Sequence, residues 1–235
     1  MQKSVKNNMR VIVSSLIFFV IMPLVIYLGM TVMEDRKYYL VSVILVLLAC
    51  VPFFVSFERR RPQPREILTI AVMAAISVAG RCLFAVTPGI KPVTAFTAIT
   101  GFSLGAEAGF LTGATTALVS NFFFGQGPWT PFQMFTWGMI GFVAGLLGKT
   151  GMMHRKIPLA LFGIFAGIFF SLGMDIWGAV SASGMFKTEA YMAAIATALP
   201  FTMMYAVSNV IFLWLLAKPI GDKLERLKKK YGIRL

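Results

Sequence analysis

Long apolar runs separated by short charged stretches dominate the chain. Residues 11–33 carry no charge over 23 positions, residues 38–57 none over 20, residues 108–148 none over 41, and residues 190–217 none over 28. A helix needs about 20 apolar residues to cross a bilayer core of about 30 Å. The pattern therefore predicts spanning helices near 11–32, 38–57, 67–86, 131–148, 158–180 and 190–217, with a further apolar block at 92–120. At 1.5 Å per residue that block would make one helix of roughly 43 Å, so it is either a single tilted span or two short ones.

Charge placement separates these alternatives. Short cytoplasmic loops carry an excess of Lys and Arg. Four clusters hold 17 of the 22 basic residues: Lys3, Lys6 and Arg10; Arg59, Arg60, Arg61 and Arg65; Lys149, Arg155 and Lys156; and Lys218, Lys223, Arg226, Lys228, Lys229, Lys230 and Arg234. All four lie on one side only if the chain crosses twice within 92–120. The sequence thus predicts an all-α protein of about eight transmembrane helices with both termini cytoplasmic. The break is expected near residues 104–107, where Gly105 and Glu107 interrupt the apolar run. Arg59 to Arg61, Pro62, Pro64 and Arg65 then divide the chain into an N-terminal hairpin (1–65), a six-helix body (66–217) and a basic cytoplasmic tail (218–235).

Composition narrows the function classes. Hydrophobic residues make up 58% and charged residues only 13%, against about 25% charged in soluble domains. The net charge of +13 sits at the flanks of apolar runs, so it reports topology and not a nucleic-acid surface. Cys50 and Cys82 each lie within an apolar segment, and His154 is the single histidine. No zinc motif or P-loop occurs, so the chain cannot build a nucleotide-hydrolysis site of its own. The first apolar run exceeds the 7–15-residue core of a signal peptide and reads as a retained span.

Two features point beyond packing. Ala71, Ala75 and Ala79 recur every four residues on the third predicted span. Small residues permit close helix approach in lipid, so the stripe is either an internal seam or a docking face for another membrane protein. Gly101, Gly105, Gly109 and Gly113, then Gly138, Gly141, Gly145 and Gly148, predict further close packing. The second feature is the outer stretch 120–134, with Asn121, Gln126, Thr130 and Gln133 beside Phe122, Phe123, Phe124 and Trp129, constrained by Pro128 and Pro131. It reads equally as an interfacial aromatic belt or as a capture site for a neutral amide-bearing or heterocyclic solute. Arg81, Lys91 and Asp175 lie at comparable depth, where charges face the bundle interior or a partner. Arg81 and Asp175 are candidates to pair or to hold solute. Tyr205, Ser208 and Asn209 suggest an interior polar face on the last span, with Asn209 nearer the cytoplasmic end, where helix packing alone would account for it.

The body resembles the substrate-binding S components of energy-coupling factor (ECF) vitamin transporters. The likeness rests on the six-helix core, the Ala71, Ala75, Ala79 series, and Lys91-Pro92 followed by the glycine-rich pair of spans, the 120–134 stretch, Trp137-Gly138 and Gly141-Phe142. It implies a multi-pass bacterial cell-membrane protein, not an enzyme and without a cofactor of its own, that captures a vitamin or precursor. A transmembrane coupling subunit, docking on the alanine face, and two cytoplasmic ATPases would complete the importer and use the ATP. The outer stretch is closest to the branch assigned to cobalamin or its precursors, which implies a corrinoid. The substrate-binding set expected here is Asn121, Gln126, Trp129, Gln133, Arg81, Lys91, Asp175 and Tyr205. A self-sufficient secondary transporter and a membrane-embedded enzyme are the rival classes. Neither a duplicated half nor a catalytic cluster is traceable in the sequence. The N-terminal hairpin departs from the six-helix pattern and raises the question of whether it obstructs the docking face.

Overall fold

The computed structural model describes residues 38–59 and 62–231, with residues 20, 21 and 24. The first predicted span therefore lies outside the described residues. Within them the chain forms seven α-helices: α1 (Tyr38–Arg59), α2 (Pro64–Leu83), α3 (Val93–Leu104), α4 (Ala106–Phe124), α5 (Thr130–Leu146), α6 (Lys156–Ser183) and α7 (Thr188–Tyr231). Two short 3-10 turns, Gly148–Thr150 and Met152–His154, join α5 to α6. Among these, α2, α6 and α7 are long and apolar enough to cross a membrane unaided.

The 92–120 block breaks where the sequence places the break. Gly105 stands between α3 and α4 at φ 90°, a backbone region that glycine enters without the steric cost of a side chain. The two halves are unequal, 12 residues against 19. At roughly 18 Å, α3 is too short to span a bilayer core alone. All of its residues are buried, because α2, α4, α5 and α7 surround it. Protein therefore covers this short helix along its whole length. Thr100 Oγ1 turns back to Phe96 O at 2.8 Å and, on α4, Thr112 Oγ1 to Ala108 O at 2.9 Å, whereas Ser103 Oγ meets Met153 Sδ at 3.7 Å and Thr97 Oγ1 is buried without a hydrogen-bond partner. Bonds of the first kind satisfy polar side chains where water is absent.

Glycine sets the distance between α3, α4 and α5. A methyl group at Gly141 would lie 2.2 Å from the carbonyl oxygen of Gly109, and one at Gly101 would lie 2.2 Å from that of Gly141. The expected glycine series therefore belongs to two helices and packs against a third. Helices α6 and α7 form the other large pairing in the bundle.

Helix α7 continues well past the predicted end at 217. Its 44 residues include Pro200 and Pro219 and would measure roughly 66 Å, beyond the bilayer's full thickness of about 45 Å. The basic segment 218–231 is thus a helical extension. It converges with the other basic stretches at one end of the bundle. Arg65 lies over the Tyr231 ring at 4.5 Å, Lys228 Nζ approaches Ser103 O at 3.5 Å, and His154 Nε2 is 3.5 Å from Glu225 Oε1.

Helix α1 packs on α4 and α5. Phe53 stacks on Phe110 with centroids 4.0 Å apart and meets Phe142 edge-on, while Ser56 Oγ donates to Glu107 Oε1. This placement leaves Ala71, Ala75 and Ala79 exposed on α2, and the buried face of that helix is instead Ile70, Met73, Ala74, Ser77 and Val78. The alanine stripe is not an internal seam of the described bundle.

Candidate binding site at the loop end of the bundle

The end opposite the basic cluster carries connections 84–92, 125–129 and 184–187. Beneath them a cavity of about 90 Å³ is lined by Arg81, Gly89, Lys91, Val93, Thr94, Gln133, Trp137, Phe170, Tyr205 and Asn209. It draws on α2, α3, α5, α6 and α7 together with the α2–α3 connection, so no hairpin alone could make it. Lys91 is anchored by its backbone N–H, which donates to Ser208 Oγ at 3.1 Å.

Arg81 organises the polar wall. Its guanidinium is buried, with Nη1 donating to Asn121 Oδ1 at 2.8 Å and to Ser120 Oγ. The ring faces of Phe124 and Trp137 lie 4.5 and 5.1 Å from its central carbon, an arrangement that stabilises a desolvated cation. Asn121 is fully buried and donates from Nδ2 to Gln133 Oε1 and Thr130 Oγ1, each at 2.8 Å. Arginine can only donate, so the Asn121 oxygen must face it and the Asn121 amino group must face Gln133. The Gln133 oxygen is thereby occupied, and its amino group is left to serve the cavity. One end of a hydrogen-bond chain thus dictates donor character at the other.

The apolar wall is aromatic. Trp137 and Phe170 stack with centroids 5.0 Å apart and planes 10° from parallel, and Tyr205 meets Phe170 edge-on at 5.3 Å. Asn209 donates from Nδ2 to Gly163 O at 3.4 Å, which leaves its oxygen as an acceptor beside the aromatic wall.

Of the expected binding residues, the structure brings Arg81, Lys91, Gln133 and Tyr205 together in the cavity wall. Asn121 stands directly behind them. Gln126 and Trp129 lie on the 125–129 connection, outside the wall. Gln126 Nε2 donates to Leu118 O at 2.8 Å and its Oε1 accepts from Thr130 Oγ1 at 3.0 Å. The Trp129 ring covers Gly127 so closely that a methyl group there would lie 2.2 Å from it. Asp175 is outside the wall as well, with Oδ2 buried and without a hydrogen-bond partner. Arg81 and Asp175 do not pair, since Ser120 and Asn121 take the guanidinium. Gly89, Val93, Thr94, Trp137, Phe170 and Asn209 complete the cavity without having been assigned to it from the sequence. Trp137 carries a signal as part of the family likeness. Asn209 stands out as a polar residue in an apolar helix, but its place nearer the cytoplasmic end suggests packing alone, whereas it lines the cavity. Phe170 sits in an apolar run where an aromatic residue is unremarked.

Among the described residues, the helical bundle thus carries at one end a small recess walled by hydrogen-bond donors and aromatic rings. The chain belongs to the family described as ECF-type riboflavin transporter, S component, which it matches over residues 63–225. No curated protein and no solved structure matches it. Members of this family are multi-pass transporter subunits and not enzymes; they bind a vitamin and assemble with a transmembrane component and two ATPases.

Proposed function

We propose that this chain captures riboflavin, or a closely related flavin, at the cavity between connections 84–92 and 125–129 and delivers it to an ECF importer. The observation that carries this reading is the directed chain Arg81–Asn121–Gln133 beside the Trp137–Phe170 stack. A flavin ring is flat and carries carbonyl and imine acceptors along one edge. Aromatic faces suit its plane, and the donors of Gln133, Arg81 and Lys91 suit its acceptor edge. In this reading Arg81, Lys91, Gln133 and Tyr205 touch the solute, joined by Trp137 and Asn209. Asn121 positions Gln133, and Gln126 and Trp129 shape the rim above.

Size favours a flavin over a corrinoid. Sites for drug-sized ligands hold about 300–1,000 Å³, and this cavity holds about 90 Å³. Even a flavin requires the bordering connection with Gly89 and Lys91 to move outward, and a corrinoid several times larger would require the helices to part. The membrane arrangement that fits this role has eight spans, both termini and the basic end cytoplasmic, and the cavity opening outward. The six-helix unit from about residue 66 would hold the solute, and the exposed Ala71, Ala75 and Ala79 would receive the coupling subunit.

Identification of the small molecule retained through purification tests the substrate. Cells grown with both riboflavin and cobalamin should yield protein carrying about one flavin per chain by mass spectrometry. Retention of a corrinoid with no flavin would overturn the assignment.

A further inference from the structure

The cavity carries two cations and no counter-charge. Arg81 and Lys91 both line it, and no Asp or Glu does. They reach it from different elements, α2 and the 84–92 connection, yet meet at one ring. The centre of the Phe124 ring is 4.5 Å from the Arg81 central carbon and 5.4 Å from Lys91 Nζ. Among the described residues no carboxylate pairs with either. Arg81 is also short of acceptors. It is only 7% exposed, Ser120 and Asn121 accept from Nη1, and Nε is buried without a hydrogen-bond partner. Hydroxyl, amide and ring faces orient a cation without cancelling its charge. Charges within a membrane are costly and are normally paired, and a second like charge at the same cavity adds repulsion.

We propose that the solute is anionic: a flavin bearing a phosphate monoester, with the phosphate held by the remaining donors of Arg81 and by the Lys91 ammonium. The inference rests on the flavin reading above and narrows it. Two independent features coincide at this cavity: an uncompensated pair of cations, and a buried guanidinium N–H without an acceptor. A phosphate answers both, whereas a neutral flavin supplies acceptors and leaves the charge in place. The guanidinium fork matches phosphate oxygens, and the ammonium adds a point charge. Lys91 stands on a connection that borders the cavity, so the phosphate lies toward the opening. The flavin ring then lies against Trp137 and Phe170, and its acceptor edge falls to Gln133.

Calorimetric titration of the purified full chain tests it, with riboflavin and riboflavin 5′-phosphate as probes. The phosphate ester should bind at least about tenfold more tightly, the effect of one hydrogen bond to a charged group. Lys91→Gln keeps the backbone anchor to Ser208 and should cut that ratio to about threefold or less. Lys187→Gln removes the same charge from an exposed position at the same end of the bundle, outside the cavity, and should keep the ratio. Equal or tighter binding of riboflavin by the wild type overturns the proposal and leaves the flavin reading standing. A ratio untouched by Lys91→Gln, or lowered as much by Lys187→Gln, overturns it too. If inorganic phosphate raises the affinity for riboflavin to that of the ester, the anion is a separate ion and the proposal fails. No saturable binding of either flavin removes the flavin reading and this inference with it.

Discussion

Replacing Gln133 with Glu would exchange the one group that faces the cavity as an amide donor for an acceptor, while keeping the side chain's size and its bond from Asn121. Affinity for riboflavin should fall more than tenfold, with thermal unfolding of the purified protein nearly unchanged. Gln133→Ala removes a single hydrogen bond, about 0.5–1.5 kcal/mol, and should cost roughly two- to tenfold. An equal loss for both variants would mean that the donor polarity set by Arg81 and Asn121 plays no part. Arg81 itself was conspicuous in the sequence because a charge at that depth requires a partner. The identity of the partner was not, since Ser120 and Asn121 lie about 40 positions away and neither is charged. Trp129 and Trp137 illustrate the same limit. Both are tryptophans in one aromatic-rich stretch, but the first folds over its own connection at Gly127 while the second turns inward beside Phe170. Only the helix start at Thr130 separates their directions.

At the level of elements, the close contact among α3, α4 and α5 makes Gly141 intolerant of any side chain. A methyl group there meets the backbone of Gly109, which cannot move without shifting a helix. Gly141→Ala should destabilise the detergent-solubilised protein by about 1–3 kcal/mol, read as a lowered unfolding temperature; an unaltered temperature would place α4 and α5 farther apart. The exposed alanine stripe of α2 makes the opposite prediction. Ala75→Trp should leave vitamin affinity within about twofold and prevent co-purification with the coupling subunit. Loss of affinity with assembly preserved would assign the stripe to the bundle interior. The helix break at Gly105 was legible from Gly105 and Glu107 in an otherwise apolar run. The unequal lengths of α3 and α4 were not, because apolar residues facing protein and facing lipid have the same composition. The route of α1 was equally hidden. Phe53 and Phe54 look like lipid-facing residues until Phe110 and Phe142 are found beside them.

At the scale of the whole molecule, the sidedness expected from the basic clusters is a prediction that labelling tests against the end-to-end division of the described bundle. Arg65, the 148–154 turns and the C-terminal part of α7 gather at one end, and the cavity lies toward the other. Cysteine labelling in intact cells, in a background without Cys50 and Cys82, should modify Gln126→Cys from outside and Lys229→Cys only after permeabilisation. The reverse pattern would invert the importer. The central claim is that the donor-lined aromatic cavity is where the vitamin binds. Its most direct test is calorimetric titration of riboflavin into purified wild type, Trp137→Ala and Trp129→Ala. The wild type should bind one riboflavin per chain. Trp137→Ala should lose at least about 2 kcal/mol, near thirtyfold in affinity, because it removes an aromatic anchor from a desolvated pocket; Trp129→Ala should lose much less. Absence of saturable riboflavin binding, or a larger loss in Trp129→Ala than in Trp137→Ala, would contradict the account.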